Sequence, residues 1–295
     1  MLLLTRSGAP TVERLLEIGA RVLADSSHIF EGHDLEWEAE ELMAMCLGTD
    51  PEDLDLDLEP PSRARERFLS LITRRAAGEP FPFLTGHIEF FGLDLEVTPG
   101  AFVPRPSSEL TVARALRKLR RRSAPNVVDV CTGAGPIALA LAAELPESRV
   151  WGADISTEGL RQARRNAKAL GLSNVSFINS DMYDSLPKML RGSIDVITGH
   201  VPYVPLDEIE DLPAEVVEHE PLSTLSDETD DGLVLMRRAV EEAPEWLKPG
   251  GWLLLEVSDD LTGILRRMCR KAGLEDKGAH TDEDRLSMVV EARSR

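Results

Sequence analysis

Asn126-Val127-Val128-Asp129-Val130-Cys131-Thr132-Gly133-Ala134-Gly135-Pro136 begins as an apolar run, breaks into a turn with two glycines, and ends on a proline. An apolar run of this length bounded by turn residues reads as a buried strand. Pro136 suits the first turn of a helix, because its missing N–H would have no partner there. Helical spacing then continues over Pro136–Leu145. The stretch is strand, turn, helix, the building unit of a parallel sheet. Glycines at such a turn let a ligand approach the backbone closely, and the helix start offers free N–H groups. In open α/β sheets, ligands sit outside the carboxyl ends of the strands. The bland alternative is a plain tight turn.

The same alternation extends outward. Further strands are expected at Arg149–Asp154, Val175–Asn179, Ile194–Gly199, Gly251–Val257 and Leu286–Ala292, with a helix over Thr157–Leu170. This predicts an α/β fold with a doubly wound, mostly parallel sheet covered on both faces. Upstream, the pattern is helical from Val12 to Ala77: Leu15, Leu16, Ile18, Val22 and Leu23 recur at helical spacing, followed by Trp37, Leu42, Met45 and Cys46. Leu54, Leu56 and Leu58 alternate with Asp, but Pro51, Pro60 and Pro61 bracket them and favour a loop. Ser62 reads as a helix cap. Between the two regions, Leu93-Asp94-Leu95-Glu96-Val97 alternates as a β-hairpin does. The expected organisation is a helical domain at 1–77, a hairpin linker at 78–105 and a ligand-binding domain at 106–295.

Two cofactors compete for the turn. Gly133-Ala134-Gly135-Pro136-Ile137-Ala138 formally matches the dinucleotide fingerprint G-x-G-x-x-G/A. Asp154, ending the next strand, suits ribose hydroxyls in either case. Asp129 discriminates. A carboxylate just before the loop opposes a pyrophosphate and suits an ammonium group. S-adenosylmethionine, with its amino-acid end, is therefore preferred to NAD. Asp181, in Ser180-Asp181-Met182, can accept the adenine amino group while Met182 supports the ring; a helix cap is the alternative.

Composition narrows the setting. Asp and Glu total 52 against 33 Lys and Arg, a formal net charge of -19. Such a chain repels a nucleic-acid backbone unless one face gathers the positive charge. The densest basic run, Arg117-Lys118-Leu119-Arg120-Arg121-Arg122, reads as a helix C-terminus that complements the dipole. The three cysteines, Cys46, Cys131 and Cys269, form no CxxC pair and no disulfide framework. No set of residues has metal-ligand spacing. No apolar run is long enough to span a bilayer. Met1-Leu2-Leu3-Leu4 is too short for a signal peptide, so a cytoplasmic chain is expected.

Further motifs recur in a specific order: Arg74-Arg75-Ala76-Ala77-Gly78-Glu79-Pro80; Thr85-Gly86 before Phe90-Phe91-Gly92; Val103-Pro104-Arg105-Pro106 with Glu109; Asp129–Gly135; Asp154-Ile155-Ser156; Asn166-Ala167; Glu220-Pro221; Asp231-Gly232-Leu233; and Asp284-Arg285. On these, nearly the whole chain resembles the HemK/PrmC family of protein-glutamine N5-methyltransferases, which methylate a glutamine of peptide-chain release factors. The resemblance implies a Rossmann-like S-adenosylmethionine-dependent methyltransferase sheet behind a small helical N-terminal domain. It places the donor on Asp129, Thr132, Gly133, Gly135, Asp154, Ile155, Asp181, Met182 and His200.

The family's reaction segment is Asn-Pro-Pro-Tyr; here it reads His200-Val201-Pro202-Tyr203. The second proline and the tyrosine match. In the family, the Asn carbonyl and the next backbone carbonyl accept the acceptor's amide hydrogens. A histidine has no amide carbonyl, and its neutral ring accepts only one hydrogen bond. Three readings of His200 stand: a general base, an orienting hydrogen-bond partner, or an inert replacement. Tyr203 is expected to wall the acceptor pocket, with Pro202 beside it. Arg105 is expected to anchor the hairpin over the cofactor mouth, or else to form a surface salt bridge. Cys131 stands where the family often has glycine and reads as buried and inert. The acidic stretch 204–231, with Asp207, Glu208, Glu210, Asp211, Glu215, Glu218 and Glu220, reads as a lid or a solvated cover.

His200 alone argues for a methyltransferase redirected to another acceptor, a small metabolite or a peptide. The alternatives are a genuine release-factor methyltransferase and a silent S-adenosylmethionine-binding protein. Neither nucleic acid nor membrane is an expected partner.

Overall fold

The computed structural model describes residues 9–29, 32–281 and 288–295. Met1–Leu4, Asp284, Arg285 and the start of the strand expected at Leu286 lie outside them. The chain forms two compact units: residues 1–86 with 212–219, and residues 87–211 with 220–295. The boundaries thus differ from those expected at 77 and 105. The hairpin is no separate linker, and a piece of the acidic stretch belongs with the N-terminal helices.

In the first unit, α1 (Val12–Ala24), α2 (Leu35–Leu47), α3 (Ser62–Ala76) and α4 (Phe81–Thr85) enclose Leu15, Leu42, Met43, Phe68 and Ile72. Thr11 and Asp34 cap α1 and α2 by accepting backbone N–H groups. Ser62 does not cap α3; it is the helix's first residue, preceded by Pro61. Trp37 and Val22 are not core residues, being 46% and 39% exposed. Trp37 instead lies against the Phe81 ring, 5.2 Å away.

The second unit opens with β1 (His87–Phe90) and β2 (Leu93–Glu96), paired antiparallel around Phe91-Gly92. Both turn residues have positive φ, 52° and 73°, as a two-residue hairpin of this hand requires. Then follow α5 (Glu109–Leu119), β3 (Asn126–Val130), α6 (Pro136–Glu144), β4 (Arg149–Asp154), α7 (Thr157–Ala169), β5 (Val175–Asn179) and β6 (Ile194–His200). After α8 (Ala214–Val217), which belongs to the first unit, come α9 (Val234–Trp246), β7 (Leu247–Val257), α10 (Asp259–Lys271), β8 (Glu275–Thr281) and β9 (Met288–Arg293).

The seven-stranded sheet has the order β5-β4-β3-β6-β7-β9-β8. Its pairs are parallel except those made by β9. From β3 the chain winds one way through β4 and β5, then returns to β6 on β3's other side. That reversal opens a crevice at the carboxyl ends of β3 and β6, where ligands of such sheets bind. One end of the basic run is neutralised locally: Lys118 pairs with the buried Glu291 at 2.6 Å.

Candidate functional site

A cavity of about 330 Å³ lies at the carboxyl ends of β3, β4 and β6, a size typical of small-ligand sites. Of the residues expected to hold a donor, Asp129, Thr132, Gly133, Asp154, Ile155, Asp181, Met182 and His200 line it; Pro202 and Tyr203 line it as well. Gly135 does not. A Cβ on Gly135 would come within 2.9 Å of the Ala163 Cβ and 3.0 Å of the Phe177 ring. Gly135 therefore serves close packing at the start of α6, the third role glycine plays in such turns.

The β3 turn is held from both ends by carboxylates. Asp129 is 1% exposed, and its two oxygens accept from the Thr132 hydroxyl at 2.5 Å and the Thr198 hydroxyl at 2.7 Å. Burial pushes its pKa up to about 6, against the pull of those two hydrogen bonds. Each oxygen keeps a lone pair, so a ligand ammonium would relieve a carboxylate that its surroundings leave uncompensated. Asp154, at the end of β4, accepts the Gly133 N–H at 2.7 Å and the Ser156 N–H at 2.7 Å. Burial raises its pKa too, with the backbone donors opposing.

Cys131 sits at φ 53°, a backbone region that favours glycine. Its sulfur lies 3.6 Å from that of Met182, and burial drives the thiol well above its usual range. Ile155 presents a large apolar side chain, 66% exposed, at the cavity mouth. Asp181 is already ion-paired with Arg238 at 2.8 Å. It does not cap a helix in the described structure, and one of its oxygens remains for a ligand.

These residues fit a ligand with an adenosyl and an amino-acid end. Asp154 offers spare lone pairs to vicinal hydroxyls. Ile155 and Met182 give an apolar slot, Asp129 suits an ammonium, and the first turn of α6 suits a carboxylate.

The floor beyond is the end of β6. Gly199 is obligatory there, since a Cβ would lie 2.8 Å from the Val130 side chain and 3.0 Å from its carbonyl. His200 follows with two aromatic rings beside it. Phe102 meets it edge-on at 5.5 Å, and Tyr203 stacks at 5.9 Å. Burial pushes the Tyr203 phenol up to about 12, so it stays neutral. Arg105 lies over the Phe102 ring at 4.4 Å and pairs with the buried Glu220, which also accepts the Val103 N–H. Arg105 is an anchor at the cavity rim, and the surface-bridge alternative falls away. Gly232 underlies the His200–Tyr203 segment: a Cβ there would run into the Tyr203 carbonyl.

Sequence reasoning missed Phe102, Ser108 and Glu256. Glu256 left a readable signal, since a carboxylate inside Leu253-Leu254-Leu255-Glu256-Val257 interrupts an apolar run that is buried from end to end.

Two family models match the chain: a methyltransferase domain over residues 121–292 and a PrmC N-terminal domain over residues 16–86. The chain is 37% identical to a release factor glutamine methyltransferase of Burkholderia pseudomallei, covering 94% of each chain. It is 34% identical to the Geobacter sulfurreducens protein of that name, covering 96% of each. It is also 33% identical, over 85% of this chain and 84% of the other, to a Streptomyces pristinaespiralis 4-amino-L-phenylalanine/4-methylamino-L-phenylalanine methyltransferase. Among solved structures, a T. thermophilus 16S rRNA methyltransferase in complex with AdoMet and guanosine shares the fold, with TM-score 0.52 and 17% identity over 71% of this chain and 50% of that one.

Proposed function

We propose that this chain, which belongs to the HemK/PrmC family of S-adenosylmethionine-dependent methyltransferases, methylates the side-chain amide nitrogen of a glutamine in a peptide-chain release factor. The observation that carries this reading is the extent of the likeness. It includes the N-terminal helical region as well as the catalytic sheet. His200 by itself argues for another acceptor, but the full-length likeness outweighs one substitution.

S-adenosylmethionine, when bound, supplies an electrophilic methyl group. The chain's part is positional. Asp129 takes the ammonium, the α6 start takes the carboxylate, and Asp154 takes the ribose hydroxyls. Ile155 and Met182 hold the adenine, while Asp181 accepts its amino group beside Arg238. Pro202 and Tyr203 wall the acceptor, and His200 faces its nitrogen. Holding nucleophile and methyl in line is worth most of the barrier reduction in such displacements.

A second reading is favoured by the rings Phe102, His200 and Tyr203 together with the Streptomyces relative's printed activity: the acceptor is an amine on a small aromatic molecule. One experiment separates the two. The purified chain is incubated with labelled S-adenosylmethionine and either a release factor or 4-aminophenylalanine. Label on the factor's glutamine supports the first reading, and label on the amine supports the second. Label on neither, with donor binding demonstrated in the same sample, sinks both.

A further inference from the structure

We infer that His200 and Glu256 act as a pair, in which Glu256 sets the imidazole's tautomer so that His200 Nε2 takes the proton released by the acceptor nitrogen. The inference deepens the proposed function, resting on an acceptor nitrogen that carries a proton.

The pairing is built by the sheet. His200 ends β6, and Glu256 is its register partner on the parallel strand β7. The Nδ1 edge of the imidazole faces inward, 3.4 Å from the Ser108 hydroxyl and 3.8 Å from a Glu256 oxygen. Glu256 is 1% exposed and is held by hydroxyl donors on both sides, Ser107 at 3.1 Å and Thr111 at 3.3 Å. A buried carboxylate facing Nδ1 favours an N–H there over a lone pair. The lone pair is then on Nε2, the opposite edge, which has no hydrogen-bond partner among the described residues. The His200 side chain is 21% exposed and lines the cavity. The separation of 3.8 Å is loose, as catalytic contacts often are before the substrate closes them.

The chemistry balances. The acceptor nitrogen's lone pair forms the new N–C bond as the C–S bond breaks with its electron pair on sulfur. One N–H proton passes to His200 Nε2. The resulting imidazolium lies beside the Glu256 carboxylate and returns its proton to water when product leaves. Glu256 is thus a positioning residue, and His200 the residue that touches substrate. The other nearby ionisable groups do not compete for this role: Tyr203 is neutral and stacked on the ring, Arg105 is engaged with Glu220, and Asp129 is engaged by two threonines.

The test has two readouts. Long-range proton–nitrogen NMR of the full chain with histidine labelled in nitrogen-15, bound to the unreactive donor analogue sinefungin, reports the His200 tautomer without any acceptor. The expected result is Nδ1–H in the native chain and a shift toward Nε2–H in Glu256→Gln, which keeps the bulk and the serine and threonine contacts. In methyl transfer to a purified release factor, Glu256→Gln should lower kcat by roughly 10–100-fold with KM little changed. His200→Asn, which leaves Glu256 and its hydroxyl partners in place, should lower kcat by about 100-fold. Nε2–H in the native chain overturns the inference. So does an unchanged kcat in Glu256→Gln, or a kcat in His200→Asn that equals or exceeds the native value. A native chain that labels no release factor, yet shows the expected tautomer, sinks the acceptor reading and leaves the pair supported.

Discussion

Arg75 donates through Nη1 to a carboxylate oxygen of Glu215 at 2.8 Å, although the two residues stand 140 positions apart. The same guanidinium, 0% exposed, forks onto Glu38 at 2.7 and 3.1 Å. Glu215 belongs to α8, in the acidic stretch that follows the reaction segment. The ion cluster therefore fastens part of that stretch into the helical unit, where the sequence favours a plain solvated cover. Burial works to raise both carboxylates, but hydrogen bonds from His33 and Arg75 outweigh it and hold them below their usual range.

Arg75→Met should destabilise the helical unit by about 3–5 kcal/mol, because it strips the buried guanidinium from Glu38 and leaves that carboxylate only the half-exposed His33 as a partner. Adding Glu38→Gln to that variant should recover part of the loss. Chemical denaturation followed by far-ultraviolet circular dichroism measures both. Equal stability of Arg75→Met and the native chain would show that the cluster contributes nothing.

His33 adds a pH dependence. Its ring lies 3.0 Å from Glu38 and 3.2 Å from Glu215, and hydrogen bonding to Glu215 and then Glu38 raises its pKa from 6.5 to about 9. A group whose folded pKa is raised contributes stability that is complete below the unfolded value and lost as pH rises through the folded one. Melting temperature should therefore fall between about pH 6.5 and 9. His33→Asn should flatten that slope. An unchanged slope in the variant would assign the dependence to other groups.

Asp129 should trade stability for binding. Its pKa is raised from 3.8 to about 6, chiefly by burial. Its contribution is thus complete below about 3.8 and lost as pH rises through about 6. At pH 7.5 the buried charge costs on the order of 2–3 kcal/mol. Asp129→Asn, which can keep hydrogen bonds to Thr132 and Thr198, should raise the melting temperature at that pH. It should also weaken sinefungin by tenfold or more in calorimetry, through loss of a charged contact. Tighter binding by the variant would place the ammonium elsewhere.

Gly232→Ala should separate donor binding from turnover. The added methyl meets the Tyr203 carbonyl and would lie 3.0 Å from the Pro205 nitrogen, at a φ of 59° that disfavours any side chain. Both obstacles are backbone, so the reaction segment itself must shift. A misplacement of this kind costs about 100-fold in kcat/KM, while sinefungin affinity should stay within a few-fold of native. Parallel loss of both would mean that the segment also supports the donor.

The donor half of the site was legible because it is local. A strand, a glycine turn and a helix start lie within Asn126–Pro136, and each declares itself by residue type over a few positions. The strands ending in Asp154 and His200 showed themselves by apolar runs for the same reason. β8 did not: Glu275-Asp276-Lys277-Gly278-Ala279-His280-Thr281 forms an edge strand with an irregularity between Asp276 and Ala279. A polar, irregular edge carries no alternation to read.

Sequence by itself determined the α/β class, the strand–turn–helix proposed to cradle the donor, and the acidic residues at the strand ends, since each follows from patterns a few residues long. Only the tertiary structure decided that Gly135 packs against Phe177, that Glu215 answers Arg75, and that Glu256 stands beside His200. Those three relationships depend on which strands become neighbours and where loops return. That is set by burying the whole core at once, and no short window of sequence contains it.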